Sequence, residues 1–429
     1  MRWRIRSYGS DSRKPKGVRA AYAEGRDRSR LVEASTLVEH APNRARRIRR
    51  NFMVDKDAGP WERRGAALES VATDADGLPL TLADFHSVFS QVLSESTLAY
   101  YEGGGADELT LAENVNSWQR MNLWPRVLRG IDSVDTSCEF LGRRMPHPFI
   151  VAPTAFHGLA DPDAEIATAR GALDAGAIYT LSTLAHTGPG ELAAAVPDAR
   201  RWFQLYVLRD RALTRAIVEE AVASGFEAIV ITVDLPPAGR REREMRTGFT
   251  LGGDLVVPSI AAAGTTEPIT MFDLPNLFDA TLSWSDIEQI VRWSDLPVIV
   301  KGVLHPRDAL AAAEHGAAGV VVSNHGGRQL DSVPSGAAAL AGVVDAVHGR
   351  VSVLVDGGIR RGTDAIKARA LGADAVLVGR PILYGLAAAG APGVSAVLKI
   401  LVAELENGLA LVGERRFDEV TASVLSPES

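Results

Sequence analysis

A histidine and an arginine three residues apart follow a short apolar run in the last third of the chain. The run is Gly319-Val320-Val321-Val322, and the polar segment after it is Ser323-Asn324-His325-Gly326-Gly327-Arg328-Gln329-Leu330-Asp331. Histidine can move a proton near neutral pH, and arginine can hold a carboxylate through two parallel hydrogen bonds. The pair therefore indicates proton abstraction from a small anionic substrate, although the His-x-x-Arg spacing alone has low specificity.

Eight short apolar runs from residue 149 onwards would position these side chains. Each run is rich in Val, Ile or Leu without strict alternation, which is typical of strands buried on both faces. The eight strand-helix alternations predict an α/β fold, a (β/α)8 TIM barrel, in preference to a doubly wound sheet. The predicted strands are 149–155, 177–183, 201–207, 228–234, 297–303, 319–323, 351–357 and 375–379. Helical patterns between them include 163–175, 212–224, 306–315 and 362–371.

Polar groups are concentrated where the predicted strands end. In a parallel barrel all of these ends meet at one rim, where barrel enzymes carry their active sites. Asp356-Gly357-Gly358 and Gly379-Arg380 follow the last two strands and predict a phosphate site there, because glycine amides and arginine suit a phosphate. Lys301, in the fifth strand, is a candidate to offset negative charge on a cofactor ring.

The order of these segments resembles the FMN-dependent α-hydroxy acid oxidase and dehydrogenase family, of the glycolate oxidase kind. The resemblance runs from about residue 82 to residue 411 and leaves out the N-terminal arm. The segments that carry it are 100–101, 110–114, 152–155, 203–206, 232–234, 239–242, 300–303, 323–331, 356–358 and 379–381.

The resemblance implies that FMN is the cofactor and that an (S)-2-hydroxy acid is oxidised to the 2-oxo acid, with oxygen or another acceptor taking the electrons. His325 would be the base, Asp234 would stabilise its imidazolium form, and Arg241 and Arg328 would hold the substrate carboxylate. The tyrosines that would bond the carboxylate and the hydroxyl are, in that order, Tyr100 and Tyr206. The residues implied to bind FMN are Pro153, Thr154, Ala155, Ser182, Gln204, Thr232, Lys301, Ser323, Asp356, Gly358, Arg360, Gly379 and Arg380.

Three side chains near the implied substrate depart from the glycolate oxidase pattern. Leu184 stands where short-chain glycolate oxidases carry tryptophan, Ala238 replaces a larger apolar residue, and Phe156 stands where methionine is common. These departures predict a substrate larger than glycolate, with an aliphatic or aryl side chain. Residues 247–282 are expected to form a mobile lid over the mouth.

The N-terminus differs sharply in charge from the rest of the chain. Residues 1–50 contain 15 Lys/Arg against five Asp/Glu, whereas the other 379 residues contain 31 against 48. Low apolar content predicts that residues 1–75 form a basic, disordered arm, ahead of a barrel domain at 76–429 that begins with a helical extension. The arm lacks interleaved aromatic residues, so nucleic-acid binding is not expected.

Cysteine content, apolar runs and histidine spacing give further expectations about location and metal binding. The single cysteine, Cys138, excludes an internal disulfide, and a cytoplasmic location is expected. No apolar run is judged long enough for a membrane span, and the histidines show no metal-ligand spacing. His157 is expected in a solvated loop, while Trp118 and Trp124 are expected to pack in the core. The family resemblance implies a homo-oligomer, commonly a tetramer.

A second function stays open: FMN-dependent oxidative tailoring of a peptide or cofactor precursor on the same barrel. It would not need both carboxylate-binding arginines, and the presence of Arg241 and Arg328 together favours the hydroxy acid. A nucleotide dehydrogenase with a cysteine nucleophile does not fit, because Cys138 precedes the barrel. A non-catalytic scaffold does not need the polar groups at every strand end.

Overall fold

Eight parallel strands close into a barrel in the computed structural model, which describes residues 60–427 except 236, 252–256 and 263–273. Two short antiparallel strands, β1 (Cys138–Phe140) and β2 (Arg143–Met145), precede it. The barrel strands are β3 (Phe149–Val151), β4 (Ile178–Ser182), β5 (Arg201–Leu205), β6 (Ile229–Thr232), β7 (Val298–Val303), β8 (Gly319–Val322), β9 (Ser352–Val355) and β10 (Ala375–Val378). Each strand pairs with the next, and β10 pairs with β3. The predicted (β/α)8 barrel is confirmed.

Helices form the outer layer and cover one end of the barrel. Those before the barrel strands are α1 (Pro60–Glu69), α2 (Leu82–Val92), α3 (Glu95–Glu102) and α4 (Leu109–Arg120). Those that follow β3 to β6 are α5 (Ala164–Asp174), α6 (Pro189–Ala195), α7 (Arg211–Ala223), α8 (Glu242–Thr247), α9 (Pro258–Ala262), α10 (Leu274–Leu277) and α11 (Trp284–Trp293). The last are α12 (Pro306–Glu314), α13 (Gly336–Val347), α14 (Gly362–Ala370) and α15 (Arg380–Val412). Single 3₁₀ turns occupy His157–Leu159, His325–Gly327, Phe417–Glu419 and Ala422–Val424.

The strand register brings polar strand ends side by side. Ser182 at the end of β4 pairs with Gln204 of β5, and Thr232 at the end of β6 pairs with Lys301 of β7. The other residues of β4 to β6 are buried and almost all apolar or aromatic, so the strands are apolar along most of their length and polar at the tips. This explains why continuous apolar runs with polar endings were a reliable sequence signal.

The last helix, α15, corrects one expectation from sequence. Residues 381–398 carry no charge, and by length and composition alone the helix could cross a membrane. Its backbone departs from helical geometry at Ala389 and Gly390, and a Cβ on Gly393 would lie 2.0 Å from the carbonyl oxygen of Gly385. The helix packs against α2, α5 and α14. The apolar stretch therefore serves the core of the barrel domain.

The two tryptophans ahead of the barrel have different environments. Trp118 is buried, and its indole nitrogen donates to the carbonyl of Gly357 at 2.8 Å. Trp124 is 57% exposed, so the prediction that it packs in the core was wrong. Cys138 is buried, and burial raises the pKa of its thiol to about 12, which leaves it an inert packing residue at neutral pH.

Helix α1 lies within the residues that the sequence assigned to the arm, and it is held against the barrel domain. Arg64 donates from Nε to the carbonyl of Ala387 at 2.8 Å and from Nη2 to Oδ2 of Asp161 at 3.0 Å. Asp161 is buried, and burial raises the pKa of its carboxyl although Arg64 opposes the shift. Residues 60–69 therefore belong to the folded unit, whereas the arm at 1–59 lies outside the described residues.

The Arg64 contacts yield a stability prediction. Arg64→Ala should lower the free energy of unfolding by about 1–3 kcal/mol, because it leaves the Asp161 carboxyl buried without its cation. Arg63 is an exposed neighbour on the same helix, so Arg63→Ala is the matched control and should change the value by less than about 0.5 kcal/mol. Urea unfolding of both variants measures this, and equal effects would contradict the packing of α1.

Candidate active site

A cavity of about 730 Å³ opens at the rim where the strands end. Residues from both predicted sets, those acting on the substrate and those binding the cofactor, meet in its wall. The predicted residues that line it are Tyr100, Pro153, Thr154, Ala155, Ser182, Tyr206, Arg241, Lys301, His325, Arg328, Asp356, Gly358, Arg360, Gly379 and Arg380. The closed barrel thus gathers segments that are far apart in sequence around one space.

Four predicted residues lie one layer behind the cavity wall. Gln204 accepts from the hydroxyl of Ser182 at 3.1 Å and donates to that of Thr232 at 3.0 Å. Ser323 accepts from Nζ of Lys301 at 2.9 Å. Asp234 bonds His325, as described below. In this structure Gln204, Ser323 and Asp234 therefore support wall residues, and Thr232 supports Gln204. A direct contact of Gln204, Thr232 or Ser323 with a cofactor stays a prediction.

His325 and Asp234 form a partly buried hydrogen-bonded pair. Nδ1 of His325 lies 2.8 Å from Oδ1 of Asp234, and the backbone N–H of His325 donates to Ser323 at 3.0 Å. Because a carboxylate only accepts, Nδ1 carries the proton in neutral histidine, and Nε2 is then the acceptor. The turn that carries His325 has a φ of 57° at this residue, a strained conformation typical of functional sites.

Burial keeps the imidazole of His325 neutral, whereas the neighbouring cationic groups keep the carboxyl of Asp234 ionised. Burial lowers the pKa of His325, and Asp234 opposes the shift only in part. Burial works to raise the pKa of Asp234, but His325 and Lys301 outweigh it, so the pKa lies below its usual value. The result is a neutral base beside a fixed negative charge, which can stabilise the imidazolium that forms when the base takes a proton.

A glycine in β7 makes room for Asp234. Gly302 has a φ of 109° at a break in the pairing of β7 with β8, and a Cβ there would lie 2.5 Å from Cγ of Asp234. Any side chain would push the carboxylate away from His325. The bulge is therefore part of the geometry that sets the base.

The two arginines share a carboxylate that the sequence analysis did not single out. Oε1 of Glu244 accepts from Nη1 of Arg241 at 3.4 Å and from Nη2 of Arg328 at 3.2 Å. Arg328 also donates to the carbonyl oxygens of Tyr100 and Gly103, and its guanidinium lies 5.1 Å from the centre of the Tyr100 ring. Glu244 follows Arg241 by three residues on a short helix, a spacing that could have identified it.

This arginine pair retains capacity for an anion. Burial lowers the pKa of Arg328, and the neighbouring charge of Arg241 lowers it further. Nε of Arg241 is buried and has no hydrogen-bond partner among the described residues. Glu244 neutralises one of the two positive charges, so a substrate carboxylate would balance the other.

The opposite part of the cavity suits a phosphorylated cofactor. Nζ of Lys301 contacts Oδ2 of Asp356 at 2.9 Å; burial works to lower the pKa of Lys301, but Asp356 and Asp234 outweigh it and keep it cationic. Oδ1 of Asp356 is buried without a partner among the described residues, which fits an acceptor for a ribityl hydroxyl. A Cβ on Gly358 would lie 1.9 Å from the carbonyl oxygen of Asn114, so glycine is needed here for α4 to pack against this turn of the cavity wall.

Arg380 is held by backbone carbonyls in this part of the cavity. It donates to the carbonyl oxygens of Tyr101 and Gly326, each at 3.0 Å, and to that of Gly103 at 3.1 Å. Burial lowers its pKa to about 9, so it is still charged at neutral pH. Arg380 thus ties the segment before α4 to the turn that carries His325, and its contact with phosphate stays a prediction. The cationic donors of Lys301 and Arg380 and the free acceptor of Asp356 together fit FMN.

Aromatic residues from the expected lid complete the substrate side. Phe249 stacks on Tyr100 with ring centres 4.5 Å apart, and Phe278 lies 4.8 Å from Tyr206. Both line the cavity, together with Phe156, Leu184 and Ala238. The sequence analysis missed Phe249 and Phe278 because neither belongs to a strand end. Residues 252–256 and 263–273 of this segment lie outside the described residues, and lid motion stays a prediction.

His157 contradicts its predicted place in a solvated loop. Its side chain is fully buried, with Nε2 at 2.5 Å from the hydroxyl of Thr154 and Nδ1 at 2.8 Å from that of Thr168. The prediction failed because the connection from β3 to α5 turns inward, beneath the cavity wall. Across the described ranges, no cluster of three or more His, Cys, Asp or Glu is placed to hold a metal ion.

Comparison with known proteins identifies the family. The model of the FMN-dependent dehydrogenase family matches residues 89–427. An L-lactate oxidase of Nostoc sp. is 41% identical, with 81% of this chain and 98% of the relative covered. A glycolate oxidase of Zea mays is 42% identical, with 81% and 95% covered. A solved mandelate oxidase structure superposes with a TM-score of 0.75 at 41% identity, with 81% and 98% covered. The chain therefore belongs to the FMN-dependent dehydrogenase family and is an FMN-dependent oxidoreductase.

Proposed function

We propose that the protein oxidises an (S)-2-hydroxy acid, larger than glycolate, to the 2-oxo acid. The observation that carries the proposal is that one cavity holds a neutral, carboxylate-paired histidine and two arginines with anion-binding capacity. The printed names of the relatives point the same way, since they include lactate, glycolate and mandelate oxidases. Oxidative tailoring of a peptide or cofactor precursor would not need both Arg241 and Arg328, so their joint presence favours the hydroxy acid.

The side chains divide the reaction between them. Oxidation removes two electrons and two protons from the substrate; bound FMN would accept the two electrons together with one of the protons. Nε2 of His325 would take one proton, and Asp234 would stabilise the resulting imidazolium. Arg241 and Arg328 would hold the carboxylate and offset the charge that develops next to it.

The tyrosines would act as hydrogen-bond donors. Burial raises the pKa of Tyr100 and of Tyr206, and in both cases the nearby arginines oppose the shift without cancelling it. Both phenols therefore remain protonated at neutral pH. Tyr206 would donate to the substrate hydroxyl oxygen and Tyr100 to the carboxylate. Lys301, Asp356, Gly358, Arg360 and Arg380 would hold the cofactor, together with the wall residues from β3 and β4.

The first experiment tests the reaction and its base together. The purified protein should show a flavin absorption band that a panel of (S)-2-hydroxy acids bleaches without oxygen, and admission of air would then separate oxidase from dehydrogenase. His325→Gln should keep FMN and lose bleaching. Asp234→Asn should lower the bleaching rate by roughly 10²–10⁴-fold. An FMN-bound wild-type protein that no hydroxy acid bleaches would contradict the proposal.

The pH profile gives a sharper form of the same test. The base must be neutral, so kcat/KM should rise with pH through the pKa of His325, which burial places below its usual 6.5. Asp234 raises that pKa, so Asp234→Asn should move the acid limb to still lower pH while reducing the plateau. An acid limb that shifts upward, or stays in place, would show that Asp234 does not act on the base.

The proposed substrate size depends on Leu184. Leu184→Trp should fill the apolar part of the cavity and lower kcat/KM for (S)-mandelate relative to glycolate by about tenfold or more. Leu330→Trp is the control, since Leu330 is exposed outside the cavity close to Arg328. A wild-type enzyme that prefers glycolate to mandelate and 2-hydroxyoctanoate would contradict the size proposal.

A homo-oligomer is part of the proposal. Val127 and Leu128 are 81% and 100% exposed, and the backbone N–H of Arg126 donates to the carbonyl of Val412 beside the exposed Leu411. With Trp124 these residues form an apolar surface that a second copy of the chain would cover. Light scattering should give a multiple of 45.7 kDa, and Leu128→Asp should reduce that multiple. A monomeric wild-type protein would contradict the assembly.

A further inference from the structure

His157 lies directly behind the cavity wall, in a segment whose conformation is tightly constrained. Phe156 has a φ of 60°, its backbone N–H donates to the carbonyl of Leu184 at 3.0 Å, and its own carbonyl accepts from the hydroxyl of Tyr101 at 2.6 Å. The backbone N–H of His157 donates to the buried carboxylate of Glu165 at 3.1 Å. These bonds fix where the imidazole can lie.

Nδ1 of His157 faces Thr168 and Nε2 faces Thr154, and the contacts of Thr168 favour the proton on Nδ1. The hydroxyl of Thr168 can donate to the carbonyl of Ala164, which lies 3.5 Å away, and its oxygen then accepts. Thr168 therefore accepts from Nδ1–H of His157, which makes Nε2 the acceptor. Thr154 must then donate its hydroxyl hydrogen to Nε2, at 2.5 Å. The lone pairs of the Thr154 oxygen remain for the cavity, which Thr154 lines.

The hydrogen bond from the Thr154 hydroxyl to Nε2 requires a neutral imidazole, and His157 is neutral near pH 7. Burial lowers the pKa of His157 to about 4, with Glu165 opposing the shift and His186 adding to it. The ring is therefore neutral near pH 7, and one of its nitrogens is always available to accept. A protonated ring would donate from both nitrogens and would turn the Thr154 hydroxyl hydrogen towards the cavity.

We propose that His157 is a positioning residue that holds the Thr154 hydroxyl as a hydrogen-bond acceptor towards FMN and thereby favours the reduced cofactor. The inference rests on the proposed placement of the flavin ring against Thr154. Reduction of FMN by two electrons and one proton gives the ring an N–H donor that its oxidised form lacks. An acceptor fixed on the wall matches the reduced form, whereas a freely rotating hydroxyl can also donate to the oxidised form.

The measurement is the two-electron midpoint potential of bound FMN, found by dye-equilibrated reduction that needs no substrate. One net hydrogen bond changes the relative affinity for reduced and oxidised FMN by about tenfold, which is roughly 30 mV for a two-electron couple. His157→Leu and Thr154→Val should each lower the potential by about that amount. Fluorescence titration of the apoprotein with oxidised and reduced FMN should give the same tenfold change in affinity ratio.

Two further variants separate orientation from packing. His157→Gln should restore most of the wild-type potential, because its amide oxygen can accept from Thr154. His147 is the control: it is also buried, but it lies at the opposite end of β3 and bonds the carbonyl of Ala175 at 2.8 Å. His147→Gln should leave the potential unchanged. If His157→Leu does not fold, the inference is tested by the other two variants: Thr154→Val should lower the potential and His157→Gln should keep most of the wild-type value.

The outcomes that overturn the inference are distinct from failure of the proposed function. An unchanged potential in Thr154→Val would show that this hydroxyl does not face the cofactor. An unchanged or raised potential in His157→Leu would show that the imidazole does not hold the hydroxyl as an acceptor. Failure of the proposed function would appear separately, as wild-type protein that binds FMN with a measurable potential but is not reduced by any 2-hydroxy acid.

Discussion

The ammonium of Lys301, buried between two carboxylates, is the interaction on which the mouth of the barrel depends. It contacts Asp356 directly and acts through its field on Asp234, which in turn bonds His325. Buried charges are costly unless they are paired, so these groups stabilise the fold only if the ends of β6, β7, β8 and β9 stay in register. The same register places Lys301 between the proposed base pair, His325 and Asp234, and the proposed cofactor residue Asp356.

The pair of Arg241 and Arg328 also places like charges close together at the mouth of the barrel, but here one positive charge is left without a compensating carboxylate. Arg241 lies close enough to Arg328 to lower the pKa of Arg328, and Glu244 compensates only one of the two positive charges. Because Glu244 lies on α8 and Arg328 follows β8, their ion pair ties α8 to the turn that carries His325. Binding of a carboxylate at this cluster would therefore act on α8, just ahead of the expected lid segment, as well as on the base.

The sequence predicted the barrel well because strand ends are a local signal. Every described barrel strand falls within its predicted run, and most predicted site residues line one cavity. The predictions that were wrong concerned the packing of segments outside the strands, which the pattern of apolar runs does not predict. Trp124 is exposed because its segment runs over the surface beside α15, whereas His157 is buried because its turn folds inward. Neither direction is encoded in the spacing of apolar residues.

Residues between strands and contacts between loops account for the other omissions. Phe249 and Phe278 reach the cavity from the segment after β6. The spacing of Glu244 from Arg241 is a local signal, but its contact with Arg328 depends on the fold. Gln204 and Ser323 stand at strand ends as expected, yet the pleat directs them behind the wall, where they hold Ser182 and Lys301.

Two layers around the cavity can therefore be adjusted separately. In the proposed function the wall residues would select the substrate by charge, through Glu244 and the arginines, and by size, through Leu184 and the aromatic rings. The layer behind the wall, Gln204, Ser323 and His157, contacts the hydroxyls of Ser182 and Thr154 and the ammonium of Lys301, and so orients groups that line the cavity. A substitution in that second layer would leave the shape of the cavity intact while changing which hydrogen-bond donors and acceptors face it, so cofactor energetics could change without a change in substrate choice.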